Sequence, residues 1–167
     1  MLKHYRRWAC LAATMSLGIS SALWLADAAT VMCKGKDATL RCLKQNFREL
    51  YRGDYAQFWR ILRAAEERAL RCNSVVNTAT FLELTLYIEG NAEVREYFSE
   101  VVETKLLHSK TRCLLEALLR ADEEPRGMVI DGLRTSTFAE ESEVRNALSK
   151  FRYTDRYRDL LKQYFQQ

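Results

Sequence analysis

Apolar side chains recur along this chain at intervals of three and four residues, the spacing of helices that each bury one face. Leu40, Leu43, Phe47, Leu50 and Tyr51 form the first such stripe, with Asp37 placed to cap it and Gly53 to end it. Asp54, with Gln57 three positions on, reads as a capping box for a second helix. Its expected inner face is Tyr55, Phe58, Leu62, Ala65, Ala69 and Cys72. A polar turn over 73–77 leads to a third helix over 78–89. Phe81, Leu82, Leu84, Leu86 and Ile88 put apolar groups on more than one side of it, so it is expected to be the most buried. Gly90 is a natural stop, and Asn91 starts a fourth helix with Val94, Tyr97, Phe98, Val101, Val102 and the stem of Lys105 inward.

Ser109 is expected to cap a fifth helix carrying Cys113, Leu114, Leu115, Leu118 and Leu119. Pro125 suits the first turn of a sixth, followed by Met128, Val129, Ile130 and Leu133. Thr137 and Glu140 read as a second capping box ahead of Val144, Ala147, Leu148 and Phe151. Thr154 opens the last helix, with Tyr157, Leu160, Leu161, Tyr164 and Phe165 on one stripe. The expected fold is therefore all-α, about eight short helices in four antiparallel hairpins. They form either a stack of repeats or an irregular bundle, in a single domain over residues 29–167. Within 81–133 the apolar set Leu82, Leu86, Tyr97, Phe98 and Val101 is answered 32 positions later by Leu114, Leu118, Val129, Ile130 and Leu133. A solenoid leaves this kind of pattern, because one hairpin cannot cover its own apolar face and needs a neighbour.

The first 28 residues read differently. Lys3, Arg6 and Arg7 precede an apolar stretch over 8–25, and Ala26-Asp27-Ala28 has the small-x-small form of a signal-peptidase site. The chain is expected to be exported and to begin at Ala29 once cleaved. An uncleaved anchor is the rival reading, since the stretch approaches the length that spans a bilayer. Thr14, Ser16, Gly18, Ser20 and Ser21 dilute its hydrophobicity and argue against that, leaving no stable membrane anchor after cleavage. Cys10 has no lipobox before it.

Four cysteines follow the segment: Cys33, Cys42, Cys72 and Cys113. An even number in an exported chain reads as two disulfides, and three pairings are open. Cys33 with Cys42 is preferred because it pins the N-terminus to the first helix. Cys72 with Cys113 then ties one hairpin to a later one. Zinc is the competing use of four thiols, but no Cys-x-x-Cys is present. No metal or cofactor is expected. Beyond residue 28, 23 Lys and Arg stand against 21 Asp and Glu, too even a balance to imply nucleic acid as a partner.

Catalytic machinery is not legible. His4 lies in the export segment and His108 in a polar turn, and no nucleophile elbow or phosphate loop appears. A cysteine nucleophile with His108 as base would need a free thiol. The pairs Glu66-Glu67, Glu123-Glu124 and Glu140-Glu141 read as solvated helical charge. No catalytic residue is assigned, and a hydrolase with a hidden site is the third-ranked reading.

Partner-binding candidates come from tyrosine and arginine, the residues enriched at interface hot spots. Arg152, Tyr153, Arg156, Tyr157 and Tyr164 cluster at the C-terminus, although Tyr157 and Tyr164 also share a stripe with Leu160 and Leu161. Trp59 lies off the main stripe of its helix and is the other candidate.

Two segments carry a family resemblance. Asn91-Ala92-Glu93-Val94-Arg95 and Glu141-Ser142-Glu143-Val144-Arg145 resemble the acidic-x-x-Val-Arg start of the second helix in HEAT-type repeats. The resemblance implies that Val94 and Val144 pack inward and that the arginines order the turns between repeats. It covers roughly 81–151, and Pro125-Arg126 replaces Val-Arg in the middle unit. In size, export signal, disulfides and helical content the chain is also similar to small periplasmic immunity proteins. That similarity implies a periplasmic or secreted protein that binds another protein, a toxin or envelope enzyme. An adaptor of an envelope or secretion complex is the alternative.

Overall fold

Asn46 divides the first expected helix in two. The structure, a computed structural model, describes residues 33–166; the expected export segment and cleavage site, and Cys10, lie outside that range. Helices α1 (Leu40–Gln45) and α2 (Phe47–Gly53) meet at Asn46, whose φ of −124° and ψ of 33° are not helical. The Asn46 side chain donates to the Cys42 carbonyl at 3.0 Å, a local alternative to the helical ladder. The cap of α1 is Thr39 and not Asp37. The Thr39 hydroxyl accepts from the Cys42 N–H at 3.2 Å, while Asp37 ends a 3₁₀ turn, Gly35–Asp37.

Helix α3 (Tyr55–Arg71) is the longest uninterrupted one. Asp54 caps it by accepting from the Gln57 N–H at 3.1 Å. The Gln57 side chain does not complete the box but reaches down to the Cys33 carbonyl. Helix α4 (Val75–Leu82) tightens into a 3₁₀ turn, Glu83–Leu86. The change of period turns Leu86 outward, 40 % exposed, against the inward position its match with Leu118 implies. Gly90 closes the segment at a φ of +79°, and the Asn91 side chain accepts from the Val94 N–H at 3.1 Å.

The expected fourth and fifth helices form one helical run. Helix α5 (Ala92–Glu100) passes into a π-helical segment, Val101–Leu106, and then into α6 (Leu107–Arg120). The break lies at Lys110, with φ −140° and ψ 34°, one residue past the expected Ser109 cap. With no glycine or proline between 91 and 124, nothing ends the run earlier. The wide π turn lets Val101, Val102, Glu103, Leu106 and Leu107 all be buried. Helices α7 (Glu123–Arg134), α8 (Glu141–Ser149) and α9 (Arg158–Phe165) complete the chain, with a 3₁₀ turn over Asp155–Tyr157. The box before α8 is Glu140 with Glu143, not Thr137 with Glu140. Thr137 instead gives its N–H to Glu103, 34 positions back, at 2.9 Å.

The architecture is all-α, with no strand among the described residues. Helix α4 packs between α3 and α6, and α6 also meets α8; α7 packs on the Glu83–Leu86 turn and meets α9. Alternate helices thus meet across the structure, and one core runs through them. Phe58, Phe81, Leu82, Leu114 and Leu115 are among its fully buried side chains. Full burial of each is worth about 1.5–3 kcal/mol. The two preferred disulfides are present: Cys33 to Cys42 with Cα atoms 5.6 Å apart, and Cys72 to Cys113 at 6.0 Å. Cys72 caps α3 in the left-handed conformation, and the Thr78 hydroxyl donates to the Ala69 carbonyl at 3.0 Å beside it. The end of α3 is therefore fastened to both α4 and α6.

Candidate functional site

The exposed side of α3 carries an aromatic row that continues onto its neighbours. Tyr51 on α2 and Tyr55 on α3 meet edge to face at 5.5 Å, Tyr55 meets Trp59 at 6.0 Å, and Trp59 meets Tyr97 of α5 at 5.0 Å. Tyr55, expected to point inward, is 49 % exposed. Glu93 explains the difference. It sits in the first turn of α5, where a carboxylate suits the helix dipole, and accepts from the Tyr51 and Tyr55 hydroxyls at 2.5 Å each. The two phenols hold the Glu93 carboxyl below its usual range, and bonding to Glu93 raises both tyrosines. All three keep their ordinary ionisation near neutral pH, so the clamp is a fixed piece of geometry.

Two cavities flank Glu93. One, of about 790 Å³, is lined by Tyr55, Trp59, Arg60, Arg63 and Tyr97; the other, of about 540 Å³, by Arg48, Tyr51, Arg52 and Tyr87. Arg48, Arg52, Arg60 and Arg63 are exposed and in no ion pair among the described residues. The face is part of a charge division that the near-neutral total conceals. Residues 33–72 hold ten Lys and Arg against five Asp and Glu, whereas 73–167 hold thirteen against sixteen. Trp59 itself is half-buried against Phe58 and Tyr97, with its Nε1 sealed and without an acceptor.

Beneath this face lies an acid that sequence reasoning put in solvent. Glu66 is buried, accepting from Lys105 Nζ at 2.7 Å and from the Tyr97 hydroxyl. Burial first, and Glu66 second, raise the Tyr97 pKa. The pair fixes the ring that ends the aromatic row. Its signal in the sequence was slight: Glu66 follows Ala65 on the inward stripe, and nothing nearby names Lys105 or Tyr97 as partners.

The C-terminal candidates are divided by the fold. Tyr157 and Tyr164 are buried. Arg156 and Tyr157 are both committed to Glu116 of α6, at 2.5–2.6 Å. Arg152 lies 4.9 Å over the Phe165 ring and 5.7 Å over Tyr153, which is 82 % exposed. Arg152, Tyr153 and Arg156 are exposed, Arg156 with its guanidinium engaged by Glu116, and no ring contact or hydrogen bond joins Arg152 or Tyr153 to Trp59. His108 is exposed, 3.9 Å from Glu143, and the four described cysteines are all in disulfides.

Compared with protein-family models, curated proteins and solved structures, the chain has no match. The described residues contain no helix long and apolar enough to cross a membrane.

Proposed function

We propose that this chain is an exported helical module that binds another protein, acting as a periplasmic immunity or inhibitor protein for a toxin or envelope enzyme. The observation that carries the reading is the aromatic and arginine face of α2, α3 and α5. Tyr51, Tyr55, Trp59 and Tyr97 supply rigid contact area with little rotamer entropy to lose, and four arginines in no ion pair among the described residues surround them. A complementary partner presents carboxylates around an apolar contact, and opposite charge of this kind speeds encounter and fixes register. Two disulfides in a chain of this size suit an oxidising compartment, in keeping with the export pattern of residues 1–28. Burial of Val94 and Val144, and the meeting of α4, α6 and α8, support the HEAT-like reading of the stack.

The experiment is co-expression with the product of the neighbouring gene. The immunity reading requires that product to be lethal when exported alone and harmless when this chain is exported with it. Arg60→Glu with Arg63→Glu is expected to restore lethality at unchanged expression. A harmless neighbour, or protection that survives both reversals and removal of residues 1–28, sinks the proposal.

A further inference from the structure

The π-helical segment carries a carboxylate that is in no ion pair among the described residues. Glu103 is 3 % exposed. Its Oε2 accepts from Ser136 Oγ at 3.1 Å and from the N–H groups of Thr137 and Phe138 at 2.9 and 2.6 Å. These three neutral donors hold the loop before α8. Among the described residues no donor reaches Oε1 and no ion pair reaches either oxygen. Nor is Oε1 among the sealed, unpartnered atoms, which are Trp59 Nε1 and Arg126 Nε.

Glu103 lines a cavity of about 270 Å³ between the π segment and α7, walled by Phe98, Val102, Val129 and Leu133. Glu89 and Arg95 also line it, so the charged groups around it sum to one negative charge. A buried carboxylate held only by neutral donors still lacks a charged partner, and a cation brought from outside supplies one. The volume lies below the roughly 300 Å³ at which pockets for drug-sized ligands begin, so the occupant is about one side chain in size. A single open oxygen serves a point charge better than the two-pronged guanidinium fork.

We propose that this cavity receives a primary ammonium on a short apolar stem. Glu103 Oε1 accepts from the ammonium, and the stem lies on Phe98, Val102 and Val129. A lysine side chain of a bound protein and a free alkylamine share this chemistry. The site is separate from the aromatic face and stands without the reading given to that face.

The test is titration of the isotope-labelled, disulfide-bonded protein with n-hexylammonium and n-hexanol, followed by amide NMR shifts. Hexylammonium is expected to move signals over 101–106 and 128–133 and to bind about tenfold or more tighter than hexanol, as one charge-assisted hydrogen bond provides. Glu103→Gln keeps an acceptor for the loop and should lose that preference. Gly132→Leu, on the cavity wall with nothing within 4 Å of an added Cβ, should fill the space and abolish binding of both probes. Shifts of the same signals by Nα-acetyl-lysine methylamide identify a protein side chain as the occupant; a response to hexylammonium without one identifies a free amine. Equal affinity for the alcohol, an unchanged preference in Glu103→Gln, or shifts confined elsewhere overturns the proposal. The alcohol comparison and Gly132→Leu decide it even where Glu103→Gln does not fold.

Discussion

Arg156 holds Glu116 at two points across 40 positions of chain, Nε to Oε1 at 2.6 Å and Nη2 to Oε2 at 2.5 Å. The Tyr157 hydroxyl adds a third bond to Oε1 at 2.6 Å. Together they anchor the turn before α9 to the middle of α6. Arg156 first, and Tyr157 second, lower the Glu116 carboxyl from 4.5 to about 2. A carboxylate depressed by folding stabilises the folded state fully above its unfolded value. That contribution is lost as pH falls from about 4.5 towards 2. Urea midpoints at neutral pH and near pH 3, compared for the native chain and Glu116→Gln, check this. The variant is expected to be less stable at neutral pH and to lose less on acidification. An equal acid loss in both removes Glu116 from the account.

The Cys72–Cys113 bond closes a loop with a sequence separation of 41, and Cys33–Cys42 one of 9. Loop-closure entropy assigns about 4 kcal/mol to the first and about 3 kcal/mol to the second. Replacing each pair by serine and following denaturant unfolding should therefore cost more for Cys72 with Cys113. The reverse order would mean that the unfolded chain already holds the ends of α3 and α6 together.

Two glycines with the same open surroundings are expected to respond in opposite directions. Neither Gly90 nor Gly132 has any atom within 4 Å of an added Cβ. Gly90 has a φ of +79°, so Gly90→Ala should destabilise by about 1 kcal/mol. Gly132 lies inside α7 with ordinary φ, and Gly132→Ala should stabilise by about 0.5–1 kcal/mol. Thermal melts of the two variants suffice.

On the aromatic face, Tyr55→Ala and Arg63→Glu should each weaken partner binding by about 2 kcal/mol or more while changing stability far less. Arg152→Glu, at the other end of the chain, serves as the comparison and should leave affinity within about 0.5 kcal/mol. Calorimetric titration against the partner distinguishes them, and a larger effect at Arg152 would move the interface to the C-terminal turn.

Helical class, the inward positions of Val94, Leu114, Leu118, Val144 and Leu148, the stop at Gly90 and the pairing of four cysteines were all legible in the chain. These features are local, or follow from period and loop length, and the residues that specify them lie within a few turns of each other. Leu86 and Tyr55 departed from their stripes, the one because a 3₁₀ turn changed the period, the other because Glu93 drew its hydroxyl outward.

Charge was a different matter. Glu66, Glu103 and Glu116 look alike in sequence, as acids on amphipathic helices. Lys105 and Tyr97 bury the first, three donors from 136–138 engage the second, and Arg156 with Tyr157 grips the third. Every one of those partners is more than thirty positions away along the chain. The repeating apolar pattern determined which helices form and which faces they hide, because burial of a stripe needs only its own periodicity. Only the packed tertiary structure decided which acids are held inside and which aromatic and basic groups face out, because an ionised side chain is buried only where distant donors meet it.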